Sequence, residues 1–216
     1  MSDKIEKKAA EPLLSKKRKE LLSNPMDSDN PITIQVLGIC SALAVTIALE
    51  GTVIMALAVF FVLVLANVII SALRNTIPNR IRIIVQLVVV ASLVAVVDQV
   101  LRAYAYEQSK ALSVFVGLII TNCIVMGRLE AFALGNKPWD SFLDGVGNSV
   151  GYGWIIIAIA FVRELFGAGK LFGFPVFESL GLDYIGNGFF ATPAAACIIL
   201  GVIIWILRAR SGYVED

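Results

Sequence analysis

From Ile32 onward the chain alternates long apolar runs with short polar breaks. Six apolar segments can be drawn: Ile32 to Leu49, Thr52 to Leu73, Ile81 to Leu101, Ala111 to Leu134, Phe142 to Leu165 and Phe189 to Leu207. Asn30-Pro31 opens the first, and the loop Asn75 to Arg80, with Pro78, parts the second from the third. A helix needs about 20 apolar residues to cross a hydrocarbon core of about 30 Å, and each segment reaches or nears that length. The strand-length alternation of a membrane β-barrel is absent, which leaves helices as the spanning element. The expectation is an all-α membrane protein with six transmembrane helices.

Composition agrees. The chain is 58% hydrophobic and 16% charged, whereas a soluble domain carries about 25% charged residues. The net charge of +1 says nothing about partners, but its distribution does. Lys4, Lys7, Lys8, Lys16, Lys17, Arg18 and Lys19 crowd the N-terminal tail. No apolar run follows them before Ile32, so the tail does not read as a cleavable signal peptide. Residues 1–29 read as a basic, disordered cytoplasmic arm touching the lipid surface rather than nucleic acid, and residues 30–216 as the membrane domain. Of the remaining cations, Arg74, Arg80, Arg82, Arg128, Lys137, Arg208 and Arg210 fall on the tail's side of the membrane, and only Arg102, Lys110, Arg163 and Lys170 on the other. That bias places both termini in the cytoplasm.

Three spans in each half make the halves, about 30–103 and 109–209, run oppositely through the bilayer if they are related. The first and fourth segments correspond weakly: Cys40 precedes Glu50 in one, and Cys123 precedes Glu130 in the other. Both are poor continuous hydrophobes. The first is short and contains Gly38, and Thr121-Asn122 interrupts the fourth. Matched short or broken helices in two halves point to a buried functional site.

There is no histidine, which removes His-ligated haem, Rieske-type ligation and the usual general base. The three cysteines, Cys40, Cys123 and Cys197, all lie in apolar runs, so a disulfide framework is not expected. At a helical rise of 1.5 Å per residue, Cys40 would lie about 12 Å past Ile32 and Cys123 about 18 Å past Ala111, both near the midplane. An apolar cysteine is ordinarily a small hydrophobe. A midplane pair on corresponding broken helices makes metal ligation a competing reading, because a buried thiolate needs a metal to hold it. Cys197, beside Ala194-Ala195-Ala196, has no counterpart and reads as packing.

Membrane acids are functional candidates. Asp98 has Arg102 at i+4, so a structural ion pair competes with an ion-pathway role. Asp144, beside glycines, is the second candidate. Glu50, Glu130, Arg128, Arg163 and Glu164 lie near segment ends, where snorkelling is the expectation. Gly147 and Gly151 form G-x-x-x-G, which suits close packing. Neither this run nor Gly167-Ala-Gly169-Lys170 has the spacing of a nucleotide-binding loop. A small secondary transporter with inverted halves is compatible with these features.

The blocks NPITIQVLGICSALAVT, RNTIPNRIRIIVQ, VVDQ, LSVFVGLIITNCIVMGRLEAFA, DGVGNSVGYG and RELFGAGKLFG, in that order, resemble the D-subunit family of bacterial sodium-translocating NADH:quinone oxidoreductases. The sister family is the E subunit of the Rnf ferredoxin:NAD oxidoreductase complex, where a proline is expected after the first cysteine; here Ser41-Ala42 follows Cys40. The resemblance implies membership of a six-subunit, inner-membrane translocase, with no complete active site in this chain alone. It implies that Cys40 and Cys123 are iron ligands of an intramembrane [2Fe–2S] cluster, shared with a homologous, oppositely inserted E subunit that supplies two further cysteines. NAD, flavins and ubiquinone would be bound by other subunits, with electrons passing between flavins across the membrane. Asp98 and Asp144 would assist sodium uptake.

Overall fold

The computed structural model describes residues 21–26, 30–78, 80–104, 117–171, 174–175 and 188–211. The cations Lys4 to Lys19, Lys110 and the start of the fourth segment lie outside the described residues. Six α-helices organise the rest: α1 Ile39–Val45, α2 Leu49–Leu73, α3 Arg82–Tyr104, α4 Cys123–Arg128, α5 Pro138–Ala168 and α6 Pro193–Ser211. A two-residue antiparallel pairing, Lys170–Leu171 with Phe174–Pro175, follows α5. Among the described residues three helices are long and apolar enough to cross a membrane, Leu49–Leu73, Arg82–Ala103 and Pro138–Ala168, with Pro193–Ala209 a shorter apolar one. The chain is a helical, multi-pass membrane protein.

The long helices follow the apolar pattern closely, with α5 beginning earlier than expected because Pro138 occupies its first turn, where the missing N–H costs nothing. The first segment departs most from expectation. It is not one helix from Ile32 to Leu49. Asn30 Oδ1 accepts the amides of Ile32 and Thr33, and Leu37 N–H closes onto Pro31 C=O. These local bonds offer the backbone turns instead of helix. Val36 and Gly38 then take positive φ, 56° and 81°. Only seven residues of α1 follow, about 10 Å at the helical rise, before a second break at Thr46–Ala48.

The fourth segment is broken where Thr121-Asn122 suggested. Residues 117–120 are helical, Asn122 is extended, and α4 restarts at Cys123. Asn122 Oδ1 accepts the Ile124 N–H at 3.2 Å, a side-chain N-cap. Past Arg128 the helix widens into a π-turn, Leu129–Ala133.

The core is the α2–α5 seam, where Val59, Val62, Leu63, Ala66 and Ile70 meet Tyr152, Ile155, Ile156 and Ile159, with Ile124, Val125 and Leu129 of the broken fourth segment packed alongside. In contrast only 17% of the α3 apolar window is buried. Residues 21–26, expected within a solvated arm, are instead folded against α5. An added Cβ at Gly147 would meet Leu21 O at 2.6 Å, and one at Gly151 would collide with Pro25 O. The G-x-x-x-G pair thus admits a turn of the chain's own N-terminal segment.

Candidate functional site

The two matched cysteines lie at the heads of the two short helices. Cys40 is in the first turn of α1 and Cys123 is the first residue of α4. Gly38 brings them into register: its N–H donates to Cys123 Sγ at 2.9 Å. Only glycine fits there, since the backbone is left-handed and an added Cβ would stand 2.9 Å from Tyr152 Cε2. Ser41, one residue past Cys40, donates to Gly38 C=O at 2.9 Å and shares a 2.7 Å hydrogen bond with the Tyr152 hydroxyl. Asn122 Nδ2 donates to Ser41 Oγ at 3.2 Å. Tyr152 of α5 is fully buried. The arrangement is a polar node made by α1, α4 and α5, with Cys40 next to Ser41 in the chain and Cys123 bonded to the Gly38 amide.

Cys40 is exposed, Cys123 is half-buried, and neither is in a disulfide. Their chemistry fits half of a four-thiolate iron–sulfur site. The donors are soft and free, one already accepts a backbone N–H as cluster sulfurs do, and the other faces outward. Among the described residues no group of three or more His, Cys, Asp or Glu could hold a metal; with three cysteines in the whole sequence, this chain alone does not supply four thiolates. The helical depth of about 12 Å for Cys40 does not apply, because Ile32 to Gly38 is turn rather than helix. Cys197, expected to pack, lies outside this chain's own core: it is exposed on α6, where Ala195 and Ala196 take the inward positions.

The charged residues are engaged more deeply than snorkelling predicts. Asp98 pairs with Arg102 at 2.9 Å, as the i+4 spacing suggested. Asp144 is 1% exposed and forms an ion pair with Arg128, whose Nε donates to Asp144 Oδ2 at 3.1 Å. Asn148 Nδ2 donates to Asp144 Oδ1 at 3.0 Å. Glu130 pairs with Arg82 and accepts from Gln86 Nε2 at 3.1 Å. Arg163, 2% exposed, donates to Leu43 C=O, Thr46 Oγ1, Phe190 C=O, Ala191 C=O and Thr192 C=O. Its neighbour Glu164 accepts the Leu49 N–H. Glu50 is exposed as expected. Burial in the protein removes the water that snorkelling seeks, and Arg128, Glu130, Arg163 and Glu164 bind protein groups.

Sequence reasoning missed the polar face of α5. Ser141, Asp144, Asn148 and Tyr152 recur every three or four residues and are all buried. Ser141 Oγ and Asn148 Oδ1, with Asn67 Oδ1 of α2, have no hydrogen-bond partner among the described residues. The signal was present as a helical-period polar stripe in an otherwise apolar span. It was obscured by the glycines interleaved with it.

Residues 18–204 match the family described as Rnf-Nqr subunit, membrane protein. The chain is 57% identical over 196 residues to the D subunit of the Na(+)-translocating NADH-quinone reductase of Pasteurella multocida (strain Pm70), covering 90% of this chain and 94% of the relative. It has the same identity and coverage with the D subunit of that reductase from Yersinia pestis (strain Pestoides F). The resemblance drawn from the sequence blocks is borne out.

Proposed function

Because the chain belongs to the Rnf-Nqr family of membrane subunits, we propose that it serves as the D subunit of a sodium-translocating NADH:quinone oxidoreductase and contributes Cys40 and Cys123 to a [2Fe–2S] cluster. The observation that carries this reading is the placing of the two cysteines at the heads of α1 and α4, which are tied to each other by the Gly38 N–H donated to Cys123 Sγ. A bound cluster would supply one-electron transfer within the membrane. The chain's own part is to hold two thiolates in place, to give one of them an amide donor, and to leave Cys40 open to a partner. The two missing thiolates come from the homologous E subunit. NADH oxidation and quinone reduction take place on other subunits, which hold the NAD, flavin and quinone sites. The complex sits in the bacterial inner membrane with both termini of this chain in the cytoplasm.

Inverted halves are part of the same proposal, and a reciprocity in the bonding supports them. Arg74 follows Leu49, the first residue of α2, by 25 positions, and Arg163 follows Pro138, the first residue of α5, by the same 25. Arg163 donates to Leu43 C=O, at the joint between α1 and α2. Arg74 donates to Gly135 C=O at 3.3 Å, at the joint between the fourth segment and α5, and Ser71 donates to Asn136 C=O beside it. Each long helix thus ends by binding the joint of the other half, as a pseudo-two-fold relation requires.

Sodium passage belongs to Asp98 and Asp144. The unpartnered buried oxygens of Asn67, Ser141 and Asn148 support Asp144 as the interior of the two, since a hard cation takes several oxygen ligands.

The test is iron content and EPR of the purified complex. Cys40→Ala and Cys123→Ala are each expected to abolish the cluster signal and quinone reduction together. Retention of both by either variant rejects the ligand assignment.

A further inference from the structure

The polar node beside the cysteines contains more order than ligation alone needs. A serine hydroxyl carries one proton and two acceptor lone pairs. The Ser41 proton is committed to Gly38 C=O, which can only accept. Ser41 Oγ is therefore the acceptor from Asn122 Nδ2, and the Tyr152 O–H is the donor in the bond between the two hydroxyls. The proton chain has one direction: Tyr152 to Ser41 to Gly38 C=O. Gly38 is consequently fixed from three sides. Its carbonyl is held by Ser41, its Cα faces the Tyr152 ring, and its N–H is spent on Cys123 Sγ.

A backbone N–H aimed at a cysteine sulfur is worth more to an iron–sulfur group than to a resting thiol. The reduced group carries one more negative charge, so a donor at the sulfur stabilises it more than the oxidised form and raises the potential. Gly38 is the N-cap of α1 and its carbonyl also takes the Ala42 N–H at 3.2 Å, so the Ser41 hydroxyl is a second donor that fixes the tilt of a peptide the helix start already holds.

We infer that Ser41 and Tyr152 are positioning residues that aim the Gly38 amide at Cys123 and thereby set the redox potential of the iron–sulfur group that Cys123 ligates. Neither residue touches the metal; each acts through the Gly38 peptide. The inference rests on the cluster reading above. It gives Asn122 a double duty, because its amide binds Ser41 while its carbonyl oxygen caps α4 at Ile124. The same side chain joins the mount of the amide to the helix that carries Cys123.

The experiment is an EPR-monitored redox titration of the intact complex with Ser41→Ala, Ser41→Thr and Tyr152→Phe, with iron measured alongside. Ser41→Ala is expected to keep its iron and shift the midpoint to more negative potential. Ser41→Thr, which restores a hydroxyl on the same Cβ, is expected to return toward the wild-type value. Tyr152→Phe keeps the ring under Gly38 and removes only the donor, so its shift is smaller and in the same direction. Wild-type midpoints in Ser41→Ala and Tyr152→Phe with iron retained overturn the inference. So does an unshifted Tyr152→Phe where Ser41→Ala has lost its iron. A Cys123→Ala complex run in parallel separates the two levels. Survival of the cluster signal in it defeats the cluster reading itself, whereas its loss beside unshifted Ser41→Ala and Tyr152→Phe midpoints defeats only the positioning role.

Discussion

At the scale of single residues the site turns on Gly38. Its φ of 81° costs a residue with a Cβ about 1–2 kcal/mol. The added carbon would also stand 2.9 Å from Tyr152 Cε2, a ring in the packed core that cannot step aside cheaply. Gly38→Ala is therefore expected to lower the thermal midpoint of the purified complex and to reduce its iron content, because relief of the contact swings the amide away from Cys123. A variant with normal iron and melting would show that the turn at Gly38 is dispensable. The two cysteines were legible in the sequence, since each occupies a short or broken span. Gly38 was legible only as an interruption. The partnership of Ser41 with Tyr152 was not, because the two residues are 111 positions apart and only the α1–α5 packing brings them together.

Among the elements, the joint between α1 and α2 shows how a helix too short to persist alone is held. Seven residues cannot stabilise themselves by helical hydrogen bonds, and their last carbonyls need partners. Thr46 Oγ1 donates to Ala42 C=O, Thr52 Oγ1 to Val45 C=O and Arg163 to Leu43 C=O. The adjacent Arg163 and Glu164 then match the two helix dipoles, a cation at the C-terminus of α1 and a carboxylate at the N-terminus of α2. The pattern of apolar residues located the long helices within a few positions but drew the first span through this joint. The bonds that break it come from Asn30 and from α5, and hydropathy does not register them. Arg163→Met leaves four carbonyls and a hydroxyl short of a donor, at about 1–3 kcal/mol for each buried group left unpaired. It is expected to lose both stability and cluster. Arg163→Lys keeps the charge but has at most three donors on one atom, and should fall between. Equal melting temperatures for all three proteins would place the strength of the joint elsewhere.

For the whole molecule, Arg74 past the end of α2 binds the turn that precedes α5, and Arg163 of α5 binds the end of α1, so the two long helices brace each other's approaches. Composition and six apolar runs were enough to reveal a membrane protein, whereas this cross-bracing was invisible because it links residues far apart in sequence. The same architecture leaves the site open on one side. Cys40 is exposed, and α3 buries little of its own apolar surface. Exposed apolar surface in a membrane is satisfied by lipid, whereas on the cluster reading Cys40 and Cys123 are two of four ligands and the open side is where the others enter. The chain made without its proposed partner should therefore fold, since its core is the internal α2–α5 seam, yet carry no [2Fe–2S] signal. Co-production with a homologous membrane protein bearing two cysteines should restore the signal at one cluster per pair, and alanine at either cysteine of the partner should remove it again. A full cluster on the isolated chain would mean that Cys40 and Cys123 complete their site with a second copy of this protein.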